Sequence, residues 1–136
     1  KKCNGPVLEL AAGTGRLAKY IIDLGLPYTG IDTSKEFIKE AQSRFGNHGK
    51  FKIDNMQNFQ HKDHYNFIFT GFNSFLHNLS DDEANNCLRS VHKHLSDDGI
   101  FFLSAFIPDP VFLYQGDDLH PATSYFTYKN KKCHYI

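Results

Sequence analysis

Apolar residues along this chain switch repeatedly between two spacings, and the switches predict its elements. Val7-Leu8-Glu9-Leu10 is a short apolar run that meets Ala11-Ala12-Gly13-Thr14-Gly15, after which Leu17, Ala18, Ile21 and Ile22 recur at helical spacing. That is strand, glycine turn, helix. Gly25 and Pro27 stop the helix, and Tyr28-Thr29-Gly30-Ile31-Asp32 predicts a second strand. Thr33 with Glu36 three residues on reads as a capping box, opening a helix whose apolar face is Phe37, Ile38, Ala41 and Phe45 and which Gly46-Asn47 ends. Phe51-Lys52-Ile53 and the aromatic run from Tyr65 to Thr70 predict strands three and four. Ser80 and Glu83 make another capping box. The helix behind it should bury Ala84, Cys87, Leu88, Val91 and Leu95 and stop at Asp98-Gly99, leaving 100–106 as a fifth strand.

Strands that alternate with helices argue a parallel sheet with right-handed crossovers, because parallel neighbours need long connections. The expected fold is an open three-layer α/β/α sandwich over residues 1–107. Past Pro108 the alternation breaks. Pro108, Pro110, Gly116 and Pro121 punctuate a loop, and residues 124–128 and 133–136 read as a hairpin turning around Asn130-Lys131. Residues 108–136 are therefore expected to form a second segment, whose aromatic run Tyr125, Phe126, Tyr128 and Tyr135 either lines a cavity or packs against a second copy as a dimerisation insert, giving a homodimer through the hairpin.

Composition narrows the partners. The chain has 136 residues, 40% apolar, with fifteen Lys+Arg against fifteen Asp+Glu, which excludes disorder by hydrophobicity and disfavours polyanion binding by charge. No apolar run approaches the ~20 residues of a membrane span, and no signal peptide is expected at the start. Cys3, Cys87 and Cys133 are widely spaced and lack a CxxC, so neither disulfides nor zinc are suggested and a reducing cytoplasm fits. A start at Lys1 without Met and an apolar end at Ile136 read as a fragment of a longer protein.

In open α/β sheets the ligand lies outside the carboxyl ends of the strands. Ala11, Ala12, Gly13 and Gly15 clear side chains from the first such turn, and a helix starting near Arg16 would aim its positive end there. Asp32 ends the second strand on the same edge, where a carboxylate with about four acceptor sites suits both hydroxyls of a ribose. Gly13 to Ala18 also fits the dinucleotide pattern, so an NAD-dependent oxidoreductase is one alternative. Glu9, two residues before Ala11, speaks against a pyrophosphate and for a cationic ligand.

With these residues in view, the segment Val7 to Gly15 resembles the first motif of class I S-adenosylmethionine-dependent methyltransferases, and the likeness runs over residues 5–107. The resemblance implies strand order 3-2-1-4-5, two further strands beyond residue 136, S-adenosylmethionine as cofactor with S-adenosylhomocysteine as product, and methyl transfer to a small-molecule acceptor. It implies that Glu9, Gly13 and Gly15 line the methionine part, with Ala11 standing where the family has glycine, acceptable if its φ stays negative. Asp32 would hold the ribose and Thr33 would lie beside the adenine. Asn55 aligns with the residue that accepts from the adenine amino group, followed by Met56, although a shift of one residue would present Asp54 instead. After the fourth strand, Thr70 would offer a carbonyl to the ammonium group, while Phe72 and Phe75 would wall the transferred methyl. His77 is the nearest candidate for a general base. The alternative within the family is an inactive or truncated module that binds cofactor without turnover.

The remaining histidines carry less. His61 and His64 read as polar-loop residues without a third ligand, His92 and His94 cannot share one helix face, and no metal site is expected. The run Lys129 to Lys132 reads as a solvated hairpin tip.

Overall fold

The computed structural model describes residues 4–107, 126–128 and 131–133. Five strands form one sheet: β1 (Val7–Leu10), β2 (Tyr28–Asp32), β3 (Lys50–Ile53), β4 (Tyr65–Thr70) and β5 (Leu95–Leu103). Their order is β3-β2-β1-β4-β5, with every pairing parallel. Three helices connect them: α1 (Ala18–Asp23), α2 (Lys35–Phe45) and α3 (Asp81–His94). The expected α/β sandwich and strand order are therefore observed.

Alternation along the strands builds a core on each face. Leu8, Leu10 and Ile68 turn to one side, where they pack with Phe59, Tyr65 and the α3 residues Cys87 and Val91. Val7 and Phe69 turn to the other, against Ala18 of α1 and Ile38 and Ala41 of α2. By this alternation Glu9 falls on the second face, a buried acid among apolar neighbours.

Four local expectations are corrected. First, α1 begins at Ala18 rather than near Arg16 and has only six residues, because Gly13 and Gly15 take positive φ (56° and 78°) and hold the preceding stretch in turns. Second, Ser34, not Thr33, caps α2: its hydroxyl accepts from Phe37 N at 3.2 Å, and its own amide donates to Asp32 Oδ1 at 2.8 Å. Third, α3 ends at His94, and Leu95 already pairs with Tyr65. Phe67 pairs next with Ile100, so residues 96–99 bulge out of register, and Asp98-Gly99 marks that bulge, not a helix stop. Fourth, Leu88 is exposed, while Ser90 and His94 are buried with Cys87 and Val91.

The α3 cap is as expected, with Ser80 Oγ accepting from Glu83 N, though Glu83 Oε2 takes the amide of Leu79 in place of that of Ser80. The chain divides into two compact units, Lys1–Phe106 and Ile107–Ile136. In the second, β6 (Phe126–Tyr128) and β7 (Lys131–Cys133) pair antiparallel. Tyr128 faces Lys131 across the ladder, so Lys131 lies in the return strand, where a turn residue was expected. The remainder of the loop and hairpin expectations, including residues 134–136, lies outside the described residues.

Candidate active site

At the carboxyl ends of the strands a cleft of about 460 Å³ is lined by Ala11, Gly13, Asp32, Thr33, Ser34, Phe37, Asp54, Met56, Ser74 and His77. Apart from Asp32, which ends β2, and Phe37 in the first turn of α2, these residues come from the segments after β1, β2, β3 and β4 in succession, the place where open α/β sheets hold ligands. The volume lies within the roughly 300–1,000 Å³ of small-molecule sites.

Asp32 organises the floor. One carboxylate oxygen accepts from Gly13 N and the other from Ser34 N, each at 2.8 Å, so this side chain ties the glycine turn to the start of α2. An ionised carboxylate offers about four acceptor sites, and two remain for a ligand. The Asp32 carbonyl also accepts from Asp54 N at 3.0 Å, which draws the third wall against the second.

The glycines serve different purposes. A side chain at Gly13 would meet nothing within 4 Å, so the space there is open to a ligand, and its need for glycine is conformational. At Gly15 an added Cβ would come to 2.7 Å from Phe45 Cε2 and 3.2 Å from Phe51 Cε1. Gly15 lets the turn lie against an aromatic pair. Ala11 has φ of 54°, contrary to the expectation of a negative value, and so occupies the left-handed region with a Cβ.

Glu9 does not line the cleft. It is 4% exposed behind the turn, where Tyr28 Oη donates to Glu9 Oε2 at 2.5 Å. Gly30, the register partner of Glu9, has no side chain, which leaves room for the Tyr28 hydroxyl. Burial pushes the Glu9 carboxyl up to about 7, against the lowering by the Tyr28 hydrogen bond and Arg16, with the charge of Asp32 adding to the rise. Burial also raises the Tyr28 phenol, as does the neighbouring Glu9.

Asp54, not Asn55, reaches the cleft. Asn55 Oδ1 accepts from Gln57 N at 2.9 Å in an Asx turn, and Asp54 Oδ1 accepts from Asn55 N at 2.9 Å. Met56 lines the cleft and also packs on the core. Thr70 is fully buried, its Oγ1 has no hydrogen-bond partner, and its carbonyl accepts from Ser104 N at 3.1 Å. Phe72 is exposed outside the cleft lining with φ of 51°, and the Arg16 guanidinium stacks over its ring at 3.6 Å. Phe75 packs on the core. His77 ends a 3-10 turn, Ser74–His77, at the mouth of the cleft.

Two histidines that the sequence reading passed over form a buried cluster behind Asp54. His61, its side chain 3% exposed, places Nε2 3.3 Å from Asp54 Oδ2 and Nδ1 2.7 Å from Tyr65 Oη. His94 Nε2 accepts from His61 N at 3.0 Å, and His94 Nδ1 donates to the Ser90 carbonyl at 2.7 Å. The periodicity of α3, with Ser90 and His94 one turn apart on the face of Cys87 and Val91, was the available signal for His94.

Comparison with known proteins agrees with this geometry. The profile of a family described as a methyltransferase domain matches residues 7–99, and the chain belongs to that family. No curated protein matches the sequence. Among solved structures it is similar to the glycopeptide N-methyltransferase MtfA, 27% identical with a TM-score of 0.69 over 75% of this chain and 47% of that one. It is also similar to the CcbJ methyltransferase from Streptomyces caelestis, 29% identical with a TM-score of 0.69 over 72% of this chain and 41% of that one. MtfA with bound S-adenosyl-L-homocysteine matches at 26% identity and a TM-score of 0.68, over 75% of this chain and 46% of that one. The chain thus spans less than half the length of these relatives. Among the described residues no helix is long and apolar enough to cross a membrane.

Proposed function

We propose that this chain is the cofactor-binding core of an S-adenosylmethionine-dependent methyltransferase with a small-molecule acceptor. The observation that carries the reading is Asp32, a carboxylate with two acceptor sites left over, standing at the end of β2 beside the open backbone of Gly13. Its spare acceptors take the ribose hydroxyls. Asp54 accepts from the adenine amino group in the role first aligned with Asn55, Met56 and Thr33 flank the ring, and Ala11 and Gly13 leave room for the methionine part. Gly15 keeps the turn closed against Phe45 and Phe51.

When bound, the methyl donor supplies an activated methyl carbon and a neutral thioether leaving group. The chain's own share is alignment: a cleft that holds reacting atoms ~3 to 3.5 Å apart supplies several kcal/mol of the barrier reduction. An acceptor nitrogen or oxygen that arrives protonated loses its proton to His77 Nδ1 or Nε2 at the mouth of the cleft. The likeness to a glycopeptide N-methyltransferase and the zero net charge both favour a discrete molecule over a nucleic acid as acceptor. On the same reading residues 108–136 start a substrate cap, the hairpin makes a homodimer contact, and the protein works in the cytoplasm; sedimentation velocity and fractionation test the last two.

The decisive experiment is calorimetric titration of the full-length protein with S-adenosylhomocysteine and with NADH under the same conditions. S-adenosylhomocysteine is expected to bind, and Asp32→Ala to weaken it by roughly 1.5 to 3 kcal/mol, the worth of charge-assisted hydrogen bonds. Binding of NADH alone would reverse the assignment, and an unchanged affinity in Asp32→Ala would confine Asp32 to holding the turn.

A further inference from the structure

The cluster behind Asp54 has a direction. The Ser90 carbonyl can only accept, so His94 carries its proton on Nδ1, and its Nε2 lone pair receives the amide of His61. His94 is therefore a neutral, fixed bracket between α3 and the segment that follows β3, and Ser90 Oγ adds a second clamp by donating to the Gln57 carbonyl at 2.9 Å. On this bracket sits the His61 ring, packed edge to face with His94 and tilted against Phe59 and Tyr65.

His61 has one nitrogen occupied and one waiting. Nδ1 contacts Tyr65 Oη at 2.7 Å, and the phenol O–H is the natural donor in that pair, which leaves the proton of the neutral ring on Nε2. Nε2 is buried and makes no completed hydrogen bond, although Asp54 Oδ2 lies 3.3 Å away, off the line of a good one. A buried donor left unmade is costly, and the nearest group able to complete it is the one that lines the cleft.

We propose that His61 is the positioning residue for Asp54: the neutral imidazole, held in its Nε2–H form by Tyr65 and docked on α3 through His94, aims a donor at the Asp54 carboxylate and so fixes the acceptor that reads the adenine amino group. The inference rests on the cofactor assignment of the cleft. The groups facing His61 are Lys52 of β3, Asp54 after it, Tyr65 of β4 and His94 of α3. Burial first and the Lys52 ammonium second hold its imidazole below the ordinary histidine value, and Asp54 opposes them. The ring therefore stays neutral at physiological pH and donates one proton without placing a cation in the core.

The test compares S-adenosylhomocysteine with S-inosylhomocysteine, which carries an oxo group in place of the amino group, in binding to the full-length protein. The wild type should prefer the adenosyl ligand by about 10- to 100-fold, the range expected when a charged acceptor loses its donor. His61→Phe should reduce the preference to within about threefold, while His61→Gln, which keeps an N–H donor, should retain most of it. Tyr65→Phe, a change of one oxygen that leaves the ring free to move its proton to Nδ1, should reduce it as well. Nitrogen-15 spectra of the wild type should show His61 protonated on Nε2. Protonation on Nδ1, equal weakening of both ligands by His61→Phe, or an unchanged preference in both His61→Phe and Tyr65→Phe would each overturn the proposal while leaving the cofactor assignment intact. Failure of the wild type to bind S-adenosylhomocysteine would instead remove that assignment, and the proposal with it.

Discussion

Ala11 holds a left-handed backbone that its Cβ opposes, at a cost of about 1–2 kcal/mol relative to a residue free of that clash. Ala11→Gly loses part of this gain to the entropy of the unfolded chain, and the net expectation is stabilisation by about 1 kcal/mol, read as a higher urea midpoint with an unchanged slope. Glu9 gives a pH signature. Its carboxyl titrates at about 7 when folded against an ordinary 4.5, so between these values the folded state binds more protons than the unfolded one, and stability falls as pH rises through that window. The full loss is on the order of 3 kcal/mol, complete above pH ~7 and absent below pH ~4.5. Glu9→Gln keeps an acceptor for Tyr28 Oη but cannot titrate; its denaturation curves should lose this slope between pH ~4.5 and ~7. A slope that persists in Glu9→Gln would assign the effect to another group. Neither feature was readable in the sequence, since the sign of a φ and the burial of an acid on a four-residue strand depend on what packs above them.

At the scale of elements, the strands and helices were legible because their periodicity and caps agree, and the placement of Asp32 and Gly13 at the cleft was legible because one ends a strand and the other lies in the turn that follows a strand. The boundary errors share a form: one local signal was overruled by a competing bond, from a residue two positions away in two cases and from a neighbouring strand in the third. Thr33 fits a capping box, but Asp32 takes the amide of Ser34, and this geometry makes Ser34 the cap. Asp98-Gly99 fits a helix stop, but pairing of Leu95 with Tyr65 starts the strand sooner. Asn55 aligns with the acidic residue of the family, but an Asx turn uses its oxygen and presents Asp54. The contrast between the two glycines of the first turn tests how that turn is built. Gly13→Ala adds only backbone strain, about 1 kcal/mol, whereas Gly15→Ala adds strain and drives a methyl into Phe45 and Phe51, so that about 2–4 kcal/mol of stability should be lost. Equal losses in chemical denaturation would mean that Phe45 swings away freely.

For the molecule as a whole, the two outer strands of the sheet are protected unequally. At one side β3 is four residues long and carries Lys50 and Lys52, both features that discourage a further strand from pairing. At the other side β5 spans nine residues, and among the described residues no strand pairs with its outer edge. Its surface is apolar as well: Ile100, Phe102 and Leu103, with Phe106 and Ile107 just beyond, are all substantially exposed. A long, apolar, unpaired edge is the usual route to self-association. Phe102 alternates with Phe101, which packs on the core, so its side chain can change without disturbing that packing. The 136-residue chain is therefore expected to associate further with rising concentration, beyond a dimer made by the hairpin, and Phe102→Lys to suppress that further association, as followed by sedimentation velocity. S-adenosylhomocysteine binding should be unaffected, because Phe102 is not among the residues that line the cleft. Association that survives Phe102→Lys but disappears when the hairpin residues Phe126 and Tyr128 are changed would move the contact from the sheet edge to the second unit.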